Sequence, residues 1–206
     1  MNPFLRNRLF FARVRASAYE RARARFTTAR ELFPEGGAPE REFFHALGML
    51  VTDLETVREY ATDAVRGLQR RRVGRFRDDH QRGILEEEIV LRHFCVEMEA
   101  QARFLRMRVE TDLRLRAYRA RIRRIRRTHD RDPDAGPQLS GILDSFGGLA
   151  EAERGDIRRI LDMMARRFEV GDQLMAVLKE KMKEAVIPDT RQTLSSGEGE
   201  LGLSGS

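Results

Sequence analysis

Tryptophan is absent from this chain of 206 residues, cysteine occurs once, and only three of its 39 basic residues are lysines. No proline stands between Pro39 and Pro133, and serine is scarce before the C-terminal tail. Each absence excludes something. A lone Cys95 permits no intrachain disulfide and fits a reducing compartment. Its apolar neighbours mark it as a core residue rather than a nucleophile. Without Trp and with three Tyr, stacking platforms for single-stranded nucleic acid are lacking. Helix-turn-helix, zinc and strand-based RNA-binding signatures are missing too, so nucleic acid is not an expected partner. No apolar run approaches the ~20 residues of a membrane-crossing helix.

Catalytic and metal signatures are also missing. There is no Gly-x-x-x-x-Gly-Lys phosphate loop and no Gly-x-Gly-x-x-Gly. The histidines are His45, His80, His93 and His129. No two stand at the i, i+4 spacing of a zinc helix. Glu42 and His45 make one Glu-x-x-His, but a di-iron bundle needs two such pairs and two further Glu. The other three histidines have Arg77, Val90 and Arg126 at the required position. The acidic run Glu86, Glu87, Glu88 reads as a solvated face answering nearby Arg. No catalytic residue, metal or cofactor is expected, and the chain is not read as an enzyme.

What the chain does have is helix and arginine. Charged residues make up 35% and hydrophobic ones 41%, with a mean hydropathy of −0.55. Such helices bury a stripe each rather than a thick core, which suggests a core shared with a second copy. The pI is about 10.2 and the formal net charge +6.

A first, basic amphipathic helix is expected within residues 1–33, which include Phe4, Leu5, Leu9, Phe10, Phe11 and Val14. Residues 1–30 hold eight Arg and one acid, Glu20. Three readings compete for this segment: a structural helix, a membrane-surface helix, or an Arg-rich mitochondrial targeting peptide. Pro34, Gly36, Gly37 and Pro39 break the chain. From there to about residue 130 most of the sequence reads as one helix, which at ~1.5 Å per residue could span roughly 130 Å. Phe43, Leu47, Leu50, Leu54, Val57, Ala61, Ala64 and Leu68 alternate at four and three, an a/d heptad seam. The seam lapses in 70–84, where Gly74 and Gly83 lie, and this stretch is expected to bend or loop. It resumes at Leu91, Cys95, Met98, Ala102, Leu105 and Val109. Tyr118, Ile122 and Ile125 extend the stripe.

A second break runs from Arg131 to Pro137. The last helix, about 137–187, is expected to bury Leu139, Ile142, Phe146 and Leu149 on one face. Ile160, Met164, Phe168, Leu174, Leu178 and Met182 continue the apolar pattern. Residues 188–206, rich in Ser, Gly and Glu, read as a disordered tail open to protein partners.

Two arginine clusters stand out. Residues 103–131 hold twelve Arg against Glu110, Asp112 and Asp130, with a centre at Arg119, Arg121, Arg123, Arg124, Arg126 and Arg127. The other comprises Arg66, Arg70, Arg71, Arg72, Arg75 and Arg77. Arg binds phosphate oxygens in a bidentate fork and keeps its charge, so both clusters are candidate anionic-lipid surfaces, worth about 1 kcal/mol per basic residue near such a membrane. The plain alternative is a solvated face paired with acids of neighbouring helices, for which residues 151–172 are a source.

A short first helix, a long bent second, an Arg-rich tip and a further helix resemble the BAR domain. Phe43, Phe44, His45, Ala46, Leu47, Gly48, Met49 and Leu50 look like the aromatic-x-x-Ala-Leu-Gly phrase that opens the second helix of many BAR domains. Residues 54–76 follow with a BAR-like Leu-x-x-Val-Arg pattern. The stretches 156–161 and 174–182 resemble the family's last helix, and 119–137 its basic turn. Within the family the break at 127–133 is most similar to BAR proteins of the ciliary base. The resemblance covers 40–187. It implies an all-α, elongated three-helix antiparallel coiled coil with a long kinked central helix. It also implies a homodimer seamed by residues such as Phe43, Leu47, Leu50, Leu54, Val57, Leu68, Met98 and Leu105. Such a protein is a non-enzymatic scaffold that binds anionic membrane and senses or induces curvature, in the cytoplasm at a membrane surface or the ciliary base. The alternative is a helical accessory subunit of a large assembly, mitochondrial in one version, whose Arg clusters meet protein acids or RNA.

Overall fold

The computed structural model describes residues 3–33, 40–71, 79–128 and 135–184, with the side chains of 10–33, 40–69, 81–128 and 135–183. Four α-helices account for nearly all of them: α1 (Pro3–Leu32), α2 (Glu40–Arg71), α3 (Asp79–Thr128) and α4 (Ala135–Glu184). No strand occurs among the described residues, so the all-α expectation holds.

The helix expected over 40–130 is two helices. α2 ends at Arg71, and α3 returns antiparallel along it. The cross-chain pairs give the direction: Arg58 reaches Glu99 and Arg103 reaches Glu55. The physical reason is the pair of seams. A straight rod would leave both in water. Folded back, they face each other, and Leu50, Leu54, Val57, Leu91, Met98 and Leu105 are all buried. Fully burying one such side chain is worth about 1.5–3 kcal/mol, which outweighs the turn. The stretch 72–78 that holds Gly74 lies outside the described residues, as does the expected tail.

α1 and α2 run antiparallel, with Phe11 against Tyr60 and Phe33 against Phe43. α3 and α4 do likewise, with Lys181 on Glu87 and Tyr118 on Phe146. α1 closes against α4 through side chains from Arg15 beside Met182 to Arg30 on Asp162. The result is an up-down-up-down bundle of four helices with its own core, in place of the expected three. The proposed seam residues Phe43, Leu47, Leu50, Leu54, Val57, Leu68, Met98 and Leu105 are buried within one chain, so a core shared with a second copy is not needed to cover them. Val65 takes the buried place expected for Ala64. Residues 18–29 of α1 supply Ala18, Tyr19, Ala22, Phe26 and Ala29 to the core. This part of the segment is a packed element of the bundle.

Two buried features fix how α1 docks. Arg15 forms an ion pair with Glu88, both under 6% exposed. Tyr19 donates its hydroxyl toward the Phe168 carbonyl (3.1 Å) and Asp172 (2.8 Å). Its ring and those of Phe26 and Phe94 surround Phe168. Gly171 makes room for this cluster. A Cβ there would lie 2.5 Å from the Tyr19 hydroxyl and 2.7 Å from Phe94 Cζ. Those ring atoms are held by packing and cannot simply swing aside.

Helix lengths shape the molecule. α1 and α2 have 30 and 32 residues, α3 and α4 have 50 each. Arg58 opposite Glu99 and Glu55 opposite Arg103 put the start of α2 level with about residue 118 of α3, so α3 and α4 run on past it by about ten residues, roughly 15 Å of helix. The four-helix body therefore bears a two-helix arm. From 113 to 128 no α3 residue is fully buried.

Gly171→Ala should lower stability by about 1–3 kcal/mol through overpacking, against the ~1 kcal/mol that Ala normally gains over Gly in a helix. Gly148→Ala, where nothing lies within 4 Å, should instead gain about 0.5–1 kcal/mol. Urea unfolding of the two variants measures both signs. A stabilised Gly171→Ala chain would contradict the cluster geometry.

Candidate functional site

The arm brings the main Arg cluster together. Residues 114–128 of α3 contain eight Arg and no acid, and the facing residues 135–150 of α4 contain only Asp144. The connecting stretch 129–134 carries Asp130, Asp132, Asp134 and Arg131 and lies outside the described residues. Arg121, Arg123, Arg124, Arg126 and Arg127 are exposed. Among the described residues no acid forms an ion pair with any of these five. Arg126 and Arg127 also occupy the last turn of α3, where cations complement the helix dipole.

Arg119, expected in the same surface, behaves differently. It is half-buried, and its guanidinium lies across Gly147, with Nη2 3.0 Å from where a Cβ would stand. It packs the arm together instead of lining a free cationic face. At the base of the arm, Asp112 is 1% exposed and takes ion pairs from Arg116 and from Arg154 at 3.5 Å.

The second cluster is only partly visible. Arg66 is exposed and 3.6 Å from Asp63. Arg70 and Arg71 end α2, but their side chains are outside the described ones, as are Arg72, Arg75 and Arg77 entirely. Arg66, the member of this cluster whose side chain is described, lies near the end of α2 away from the arm.

Acids of 151–172 do pair with arginines, but with those of the body. Glu153 and Asp156 hold Arg108, Asp162 holds Arg30, and Asp172 holds Arg23. The solvated-face reading thus describes the body well. It leaves the five arm arginines unanswered.

Burial shifts several titrating groups in the body. Desolvation raises the Glu99 carboxyl above its ordinary 4.5, outweighing the pull of Arg58 and Arg103. Glu153 rises for the same reason against Arg108. Asp156 falls below its ordinary 3.8, chiefly through its hydrogen bond from Arg159. Burial pushes the Cys95 thiol up to about 12, so it stays protonated and unreactive at neutral pH. Among the described residues no group of three His, Cys, Asp or Glu gathers as a metal site. Among them, too, no helix is long and apolar enough to cross a membrane.

Sequence periodicity missed one feature of the arm. Leu143, Gly147 and Ala150 face inward on α4, while Ile142 and Leu149 face water at 44% and 57% exposure. On α3, Tyr118 and Ile125 are exposed as well. The expected apolar face of Leu139, Ile142, Phe146 and Leu149 is therefore rotated by about one residue. The seven-residue spacing of 118 and 125 and of 142 and 149 was the available signal.

No family model, no curated protein and no solved structure matches the chain.

A folded-state carboxyl raised above its unfolded value adds stability that is complete below the ordinary range and is lost as pH climbs through the raised value. Glu99 and Glu153 both have this sign, while Asp156 acts only at lower pH. The urea midpoint should therefore fall as pH rises from about 4.5. The Glu99→Gln, Glu153→Gln double variant should lack that fall. An identical pH profile in the two proteins would refute the assignment.

Proposed function

We propose that the chain is a non-enzymatic helical scaffold that binds an anionic membrane surface through its arginine arm. One observation carries the reading: many arginines of the body have a carboxylate on a neighbouring helix, whereas among the described residues five exposed arginines clustered on the arm have none. Arg30, Arg58, Arg103 and Arg108 each have an inter-helix carboxylate. Arg121, Arg123, Arg124, Arg126 and Arg127 are exposed on a projection that carries little else polar. A structural ion-pair network would not leave its densest cationic stretch without a paired acid among the described residues. A surface meant for lipid phosphates would.

The resemblance to BAR domains supports the membrane assignment through the basic tip. Its curvature component rested on one kinked helix over 40–130. With α2 and α3 folded back, the crescent loses that support, and the proposal is confined to anionic-surface binding. Cytoplasmic or ciliary-base placement at a membrane and a homodimer remain parts of the same proposal. A homodimer would use surfaces other than the seam residues already buried in one chain. The second reading, an accessory subunit whose arginines meet protein acids or RNA, draws on the same unpaired charges.

At about 1 kcal/mol per basic residue, reversing four arginines should weaken binding by about three orders of magnitude. The test is sedimentation of the Arg123→Glu, Arg124→Glu, Arg126→Glu, Arg127→Glu variant with phosphatidylcholine–phosphatidylserine vesicles, with circular dichroism as the folding control. Loss of pelleting with unchanged helicity is expected. Undiminished pelleting would refute the arm as the lipid site. Binding to RNA or an acidic protein in place of vesicles would move the assignment to the accessory-subunit reading.

A further inference from the structure

The arm has two chemically different rows on one side. Along α3, Arg114, Tyr118, Arg121 and Ile125 succeed one another at spacings of four, three and four, which places them in one line on a helix. Along α4 the neighbouring row is Leu149, Ser145, Ile142 and Gln138, without a charge. The antiparallel register sets the rows side by side, with Tyr118 stacked at 6.4 Å on Phe146, one turn from Leu149. Each apolar member is at least 40% exposed.

We infer that this side of the arm enters the headgroup region of an anionic bilayer, with Tyr118, Ile125, Ile142 and Leu149 inserted and Arg114 and Arg121 on the phosphates. The inference rests on the membrane reading above and adds depth to it: contact by insertion, not by charge alone. A helical face with Arg beside Leu, Ile and Tyr, and with no acid among them, has the composition of a segment that lies in the interface plane. Tyr favours that level because its ring is apolar and its hydroxyl wet. Arg can keep its head at the phosphates while its stem covers apolar neighbours.

Charge fixes where the inserted zone ends. The same helix positions continue into the body as Phe104 and Met163, both exposed. There they are accompanied by Glu97, Asp156 and Asp162, of which Glu97 and Asp162 are exposed. An anionic surface would repel that part. On the arm the row of exposed apolar side chains contains no carboxylate, unlike the same helix positions in the body, and this favours a lipid surface over a second copy of the chain.

The chain has no Trp, so one introduced indole reports its own surroundings. Ile142→Trp in the full chain should shift its emission to the blue on phosphatidylcholine–phosphatidylserine vesicles and be quenched by tail-brominated lipid. Val96→Trp, exposed on the body, should do neither. The Ile142→Ser, Leu149→Ser chain should lose about tenfold in vesicle affinity with unchanged helicity. Pelleting of the Ile142→Trp chain without an emission shift would overturn insertion while leaving charge-driven binding intact. A shift that needs no vesicles and grows with protein concentration would assign the face to a second copy and overturn the inference. Failure of the unaltered chain to pellet at all would overturn the membrane reading itself.

Discussion

Docking of α1 onto Phe168 is the contact on which the rest of the architecture depends. α2, α3 and α4 each lie against a chain neighbour and would stack as a layer of antiparallel helices. Only α1 bridges back to α4, and it does so mostly through side chains, from Arg15 beside Met182 to Arg30 on Asp162. Tyr19, Phe26 and Phe94 enclose the Phe168 ring, and Gly171 permits the approach. Aromatic pairs in such geometry contribute about 0.5–1.5 kcal/mol beyond their burial. The buried Arg15 and Glu88 pair lies close by. Pairs of that kind add little net stability, yet removing one partner is costly, about 3–5 kcal/mol. The pair is therefore better regarded as fixing the register of α1 than as strengthening the bundle.

The same helices divide the charge. Within the body, long arginines reach across grooves to acids on neighbouring helices. Pairs about half in water, such as Arg30 with Asp162 and Arg167 with Glu97, are worth ~0–1 kcal/mol each. Their main effect is to neutralise the body locally. Past the end of α1 and α2 there are no neighbouring helices to supply acids. The arm has only α4 beside it, and that stretch of α4 is almost uncharged. The basic character of the molecule is thus concentrated by geometry as much as by composition.

Helix content, the breaks near residues 36 and 133, and both heptad seams were legible from apolar spacing, because that signal is local. Core residues such as Leu50, Leu54, Met98 and Leu105 were legible for the same reason. The fold-back was not. A seam states that a face wants covering without saying by what, and its lapse in 70–84 fits a kink as well as a full turn. Hence one long bent helix was expected over 40–130, where two helices fold back and one chain buries both seams. On the arm, Ile142 and Leu143 are adjacent and both apolar, so spacing alone could not choose which faces α3. The Arg clusters were legible as composition. That Arg119 packs across Gly147 while its neighbours stand free depends on a contact between residues 28 positions apart, which no local pattern records.

The placement of the lysines has a practical side. Lys179, Lys181 and Lys183 all lie in the last turns of α4, level with the start of α1 and at the opposite end from the arm. The arm contains no primary amine. Amine-directed chemistry, whether a dye, a surface tether or enzymatic acylation, would therefore mark one pole of the molecule and leave the arginine pole untouched. A chain anchored in this way would present its arm outward in a single orientation, with all of its charge retained.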